Sequence, residues 1–233
     1  MFKLTIVFDN TTTDAQLVPL WGFAAIIEFD GKKMLFDTGS NGRVLKKNIE
    51  KLGYSFSDLQ YVFISHPHWD HIGGWDTVAE ENPDLVWYVP ASLSSHLIAD
   101  LKKFARKVIV VELAAHLTGN LYSTGVMATE GEHSLVLDTN QGLIIITGCG
   151  HPGIDNIIAK AREIKNKPVY YLAGGFHLLH YDKEKILDIL AKTDVRYVTP
   201  THCTGDEAQK QFDIFYGNRV LKGGVGKEIK LEI

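Results

Sequence analysis

The stretch SHPHWDHIGG, Ser65 to Gly74, places three histidines and an aspartate within six consecutive positions, His66 to His71. Packing does not account for such a cluster, because the imidazoles would repel one another on protonation and contribute little to an apolar core. Metal ligation does. In extended chain, residues two apart point the same way, so His66 and His68 can reach one ion at the roughly 2.0–2.1 Å of a zinc–nitrogen bond. Asp70 and His71 follow as the chain is predicted to turn into a helix at Gly73-Gly74, where they can address a second ion about 3.5–4 Å from the first. Imidazole with carboxylate suits Zn2+, and equally Mn2+ or Fe2+, so the donor types leave the element open. One or two such ions would activate water and polarise a carbonyl or phosphoryl oxygen, which is the chemistry of hydrolysis.

The elements that must position this loop are legible around it. YVFI, LIIIT and VYYLA are short unbroken apolar runs of the kind that form strands buried on both faces, with helices expected on both sides of the sheets. Each of YVFISHPH, LIIITGCGH, VYYLAGGFH and VRYVTPTH passes from a strand into a Gly- or Pro-containing turn that carries a histidine, and MLFDTG ends on Asp37. Five strand ends thus deliver a polar side chain, which is how α/β proteins assemble a site at one sheet edge. Hairpins are predicted at Asp30-Gly31 and in SLVLDTNQGLIIITG. Helical periodicity marks RVLKKNIEKLG, SLSSHLIADLKKFA, IDNIIAKAREI, KEKILDILAK and EAQKQFDIFY.

Composition narrows the function classes. The chain has 233 residues, 45% of them hydrophobic, and a formal net charge of -4 with no run of five Lys or Arg, so a small-molecule substrate is expected and nucleic acid is not. No linker or low-complexity segment divides it, and residues 1–233 read as a single domain. MFKLTIVFDN lacks the apolar core of a secretory signal and no run is long enough to span a bilayer, so a soluble cytoplasmic protein is the expectation, with oligomeric state open. Neither a GxSxG elbow nor a phosphate-binding GxxxxGK[ST] occurs, and LKGGVGKEIK reads as a turn between strands. Isolated His96, His116 and His133 are expected to be surface or hydrogen-bonded residues.

HPHWDHIGG resembles the HxHxDH signature of the metallo-β-lactamase superfamily, and FDTG before it with GCGHPG and THCTG after it follow the same order along essentially the whole chain. The resemblance implies an α/β fold, a four-layer αβ/βα sandwich with the site along one edge of its two sheets, in one metallo-β-lactamase-like domain. It also implies that His66, His68 and His151 hold a first metal and Asp70, His71 and His202 a second. Asp37 matches the aspartate behind the motif, where it would orient a histidine, although a simple turn after a strand is an equal reading.

One position departs from the pattern: binuclear members commonly carry a bridging aspartate where LAGGFHL has Gly175, so the second site is expected to be weaker or completed by substrate. His177 then either substitutes as a ligand or faces substrate as a proton donor. Asp70 would orient the nucleophile or take its proton. Some members use cysteine at the second site, but Cys149 and Cys203, beside histidines in extended chain, are expected to point away as buried thiols. Trp69 and Trp75 either wall a flat substrate ring or pack the loop.

The combination of an early DN, GCGHPG, GGFHL and PTHCTG is similar to a narrower subgroup that includes proteins named as dihydropterin-methyl ribofuranosylaminobenzene phosphate synthases. The leading expectation is a metal-dependent hydrolase acting on an ester, lactone, thioester or phosphodiester, pterin-related compounds included. A mononuclear iron oxidoreductase using His66, His68 and His151 is the alternative, weakened because diiron redox relatives usually have glutamate where His68 stands. A non-catalytic metabolite-binding protein is a third reading, which has no use for Asp70.

Overall fold

Asp30 (φ 46°) and Gly31 (φ 72°) both adopt left-handed backbone, the conformation a two-residue hairpin requires, and they join the antiparallel pair Ala24–Phe29 and Lys32–Phe36. The computed structural model describes residues 1–233. It divides into two compact units, 1–112 with 224–232 and 113–223 with 233, each built on its own sheet.

In the first unit the strands are β1 (Phe2–Phe8), β2 (Ala24–Phe29), β3 (Lys32–Phe36), β4 (Tyr61–Phe63), β5 (Val86–Pro90), β6 (Lys107–Val111) and β13 (Glu228–Leu231). Their order across the sheet is β13-β1-β2-β3-β4-β5-β6. Pairing is antiparallel from β13 to β3 and parallel from β3 to β6, so the C-terminal ends of β3 and β4 lie side by side. Helices α1 (Gly42–Lys51), α3 (Trp75–Glu81) and α4 (Ser95–Phe104) lay Leu45, Ile49, Val78 and Leu101 onto Ile26, Leu35, Val62 and Trp87. Asn41 and Ser94 cap α1 and α4, accepting from Val44 N and Leu97 N. The one polar residue on the inner stripe of α1, Asn48, is satisfied by Val7 O, Val18 O and Val18 N at 2.9–3.0 Å.

In the second unit the order is β12-β11-β10-β9-β8-β7, from β7 (Ala115–Thr118), β8 (Leu121–Ser123), β9 (Leu135–Thr139), β10 (Gly142–Thr147), β11 (Val169–Gly175) and β12 (Val195–Thr201). The predicted β9–β10 hairpin is present, and β10, β11 and β12 run parallel, bringing three C-terminal ends to one edge. Helices α5 (Ile154–Ile164), α6 (Lys183–Lys192) and α7 (Asp206–Tyr216) bury Ile157, Ile158, Ile186, Leu190 and Phe212 against Leu143, Ile145, Leu172 and Val198. Every residue of β10 is buried, as its unbroken apolar run implies. No helix is long and apolar enough to cross a membrane.

Candidate metal centre

Beyond β4 the chain runs through Ser65 and His66 to His68, which is extended, then coils at once into a short helix α2 (Trp69–Ile72). The helix therefore begins at Trp69, earlier than the turn expected at Gly73-Gly74, and Asp70 and His71 lie within its first turn. Gly73 caps it and Gly74 opens α3, and neither position has room for a side chain: added Cβ atoms would lie 2.4 Å from Ser40 O and 2.6 Å from Thr38 O. The FDTG turn after β3 grips this loop through Thr38 N and Oγ1, which both donate to His71 O, and through Gly39 O, which accepts from Gly73 N.

Asp37, fully buried and at φ 55°, organises the cluster. Its Oδ1 accepts from Ser65 N at 2.7 Å, and its Oδ2 accepts from Ser65 Oγ at 2.7 Å and from His71 Nδ1 at 2.6 Å. Because the Ser65 hydroxyl proton goes to Asp37, its oxygen accepts from His66 Nδ1, 2.8 Å away. One carboxylate thus sets the tautomer of His71 directly and of His66 through a hydroxyl. Both rings present Nε2 as the lone-pair nitrogen, which is what a divalent ion requires of a histidine ligand, so the donors fit a metal. The rings of His68 and His71 lie 4.5 and 4.2 Å from that of His66, and Asp70 Oδ2 lies 3.9 Å from His71 Nε2. His66, Asp70 and His71 are buried while His68 and Trp69 are exposed; Trp75 packs into the core.

In the second unit, the loop after β10 is held by a residue that the sequence reading did not single out. Glu132, fully buried, accepts at Oε1 from Thr147 Oγ1 and from the backbone N–H groups of Gly148, Cys149 and Gly150, and at Oε2 from His151 N. These five bonds, 2.6–3.1 Å long, shape the turn that presents His151. The His151 and His177 rings are 4.4 Å apart. His177 follows β11 at φ 52°, on the exposed side of the loop. A hydrogen bond with the Cys203 sulfur holds its pKa above the ordinary histidine value against partial burial, with Glu132 and Glu130 adding.

His202 also sits at φ 52°, opening a short 3-10 turn, His202–Thr204. The chain is not extended here, and this corrects the expectation that Cys203 points away: donor atoms of Cys149, His202 and Cys203 lie within 4.8 Å of one another. Both thiols are buried, and Cys203 Sγ is 3.4 Å from Cys149 O. The Cys149 side chain, followed by His177 and His202, draws the Cys203 thiol well below its ordinary pKa although burial opposes this. Of the isolated histidines, His133 is buried with Nδ1 2.8 Å from Ser123 Oγ, His116 Nε2 is 2.7 Å from Gly119 O, and His96 is exposed on α4. Beside His151 and His177 a cavity of about 240 Å³ is lined by Asn156, Tyr181, Lys185 and Lys192, all from the same unit.

Comparisons with known proteins bear on the family and the fold. The Metallo-beta-lactamase superfamily model matches residues 19–202. A protein of Methanocaldococcus jannaschii named 7,8-dihydropterin-6-methyl-4-(beta-D-ribofuranosyl)-aminobenzene-5'-phosphate synthase is 25% identical over 83% of this chain and 85% of its own length. An uncharacterised protein of the same organism is 26% identical over 97% of this chain and 99% of its own. The crystal structure of Tm1679, described as a metal-dependent hydrolase of the β-lactamase superfamily, superposes with a TM-score of 0.83 at 24% identity, covering 100% of both chains. The α/β class and metallo-β-lactamase fold expected from the HxHxDH motif are thereby borne out. With the family model spanning well over half of its residues, this chain belongs to the metallo-β-lactamase superfamily.

Proposed function

We propose that this chain is a metal-dependent hydrolase of a small ester, lactone or phosphodiester substrate, with phosphorylated and pterin-related compounds foremost. In this reading residues 1–233 act as one domain, His66, His68 and His151 hold one divalent ion, zinc first among candidates, and Asp70, His71 and His202 hold a second. The observation that carries it is the Asp37 carboxylate, which fixes His71 directly and His66 through Ser65. Such tautomer control is costly to build and serves ligation.

A divalent ion held by these residues would lower the pKa of water toward about 7 and withdraw charge from a carbonyl or phosphoryl oxygen. Asp70, next to His71 at the opening of α2, would orient the attacking water and take its proton. His177, exposed and held more basic than an ordinary histidine, would carry the proton that the leaving group needs. Lys185 and Lys192 beside His151 and His177 favour a substrate that carries an anionic group such as phosphate. The relative named as the synthase of a 5'-phosphorylated dihydropterin conjugate supports the same class of compound. Two buried cysteines and no disulfide accord with a reducing, cytoplasmic setting.

The experiment is metal content per chain, by elemental mass spectrometry on protein purified without added metal or chelator, combined with assay on bis(4-nitrophenyl) phosphate and a small lactone. About two zinc ions and turnover of either compound is the expected result. One iron per chain with no hydrolysis would move the assignment to oxidoreductase chemistry, and metal-free inert protein would overturn it.

A further inference from the structure

The cavity beside His151 and His177 has a chemical character of its own. Of the six residues proposed to hold metal, only His151 borders it. One wall is α6, where Lys185, Ile189 and Lys192 stand at i, i+4 and i+7 and so share a face. Lys185 lies in the first turn of that helix and Lys192 in the last, about 10 Å of helix apart. Ile154 and Phe176, both almost fully removed from water, give the cavity an apolar floor.

The charges around it are unbalanced. On neighbouring α5 and just beyond it, Lys160 pairs with Glu163 and Lys165 with Asp138, whereas Lys185 and Lys192 make no ion pair. The lining carries one carboxylate, Asp155, placed in the first turn of α5 where the helix dipole already favours it. Two ammonium groups therefore stand against one carboxylate, and the hydroxyl of exposed Tyr181, just ahead of α6, adds a donor. A phosphate monoester carries about 1.5 to 2 negative charges at neutral pH, which matches a pair of lysines better than the single charge of a carboxylate does. The volume, about 240 Å³, is below the roughly 300–1,000 Å³ of pockets that enclose a whole ligand. It houses the phosphate and the few atoms that bear it, and leaves the rest of a substrate beside His151 and His177.

We infer that this cavity is a phosphate-monoester subsite in which Lys185, Lys192 and Tyr181 hold the phosphate as an anchor, while the bond to be hydrolysed lies elsewhere in the substrate. The inference deepens the metal-hydrolase reading and rests on it. Displacement at the phosphorus itself would need the phosphoryl oxygens between two ions, and the cavity has a single proposed ligand on its border.

Calorimetric titration with glycerol 3-phosphate, glycerol and inorganic phosphate tests this, on the protein as purified and again after a chelator has removed its metal. Glycerol 3-phosphate should bind both forms and be recovered intact, and glycerol should bind neither. The double variant Lys185→Ala, Lys192→Ala should weaken glycerol 3-phosphate about tenfold or more, and Asp155→Asn should tighten it, because a like charge is removed. Both lysines are exposed, so the double variant leaves Ile186 and Leu190, the buried face of α6, in place. Binding that disappears with the metal and ignores the lysines would put the phosphate on the ions, overturning the inference and leaving the hydrolase reading standing. Inorganic phosphate bound as tightly as glycerol 3-phosphate, through the same lysines, would overturn the monoester assignment, and release of inorganic phosphate from glycerol 3-phosphate would overturn the anchor role. Failure of glycerol 3-phosphate to bind either form would overturn the subsite outright. Lysine-dependent binding by a protein that proves to hold no metal as purified would uphold the subsite while the hydrolase reading fell.

Discussion

Asp37 Oδ2 and His71 Nδ1 are 2.6 Å apart, with both side chains fully removed from water. An aspartate at the end of β3 thereby decides which nitrogen a histidine on α2 can offer to an ion.

Replacing Asp37 by Asn keeps the size but puts a neutral amide where the carboxylate receives Ser65 and His71. Metal affinity is expected to fall by about 10–100-fold, measured by competition with a chromogenic chelator. Affinity within twofold of the wild type would mean that Asp37 merely terminates the β3 turn.

Glu132→Gln substitutes a donor for one of the two oxygens that receive four backbone N–H groups and the Thr147 hydroxyl. The loss is expected to be about 3 kcal/mol, seen as a lower urea midpoint with an unchanged slope. Reduced retention of metal should accompany it, because His151 hangs on that loop. A midpoint unchanged from wild type would contradict the role assigned to Glu132.

For Asp70→Ala the expected loss of hydrolysis is on the order of 100-fold or more, with the first ion still bound. Full activity on either assay compound, with the protein shown to be metal-loaded, would remove Asp70 from the chemistry.

His177→Ala separates proton delivery from ligation. Turnover should drop more than metal content does, and the drop should be smaller for a substrate whose leaving group needs no proton, such as 4-nitrophenolate, than for an alkoxide. Parallel losses of metal and turnover would make His177 a ligand.

Dialysis of the native protein against a chelator should abolish hydrolysis and zinc should restore it. Activity that persists in protein stripped to less than a tenth of an ion per chain would rule out the metal altogether.

Much of the scaffold was readable because period and punctuation agreed. The hairpin at Asp30-Gly31 and the five long helices follow from turn residues and a 3.6-residue apolar repeat. The short strands β7 and β8, of 4 and 3 residues, carry too little alternation to be noticed, and β6 exposes Lys107 and Val110. The HPHWDH cluster announces itself by density alone. Ser65 and Glu132 do not, since one serine and one glutamate acquire meaning only when tertiary folding sets the first between Asp37 and His66 and the second under backbone donors. The direction of Cys203 was misjudged because a single left-handed residue, His202, breaks the alternation on which the expectation relied.

Asp37, His177 and His202 share left-handed backbone that L-residues other than glycine adopt at a cost of about 1 kcal/mol each. A population of variants selected only for heat resistance should therefore drift at such positions, most readily at exposed 177, toward glycine and toward sturdier, idle descendants. Heat resistance and competence would be inherited against each other at those codons, and only continued demand for the reaction would hold histidine in place.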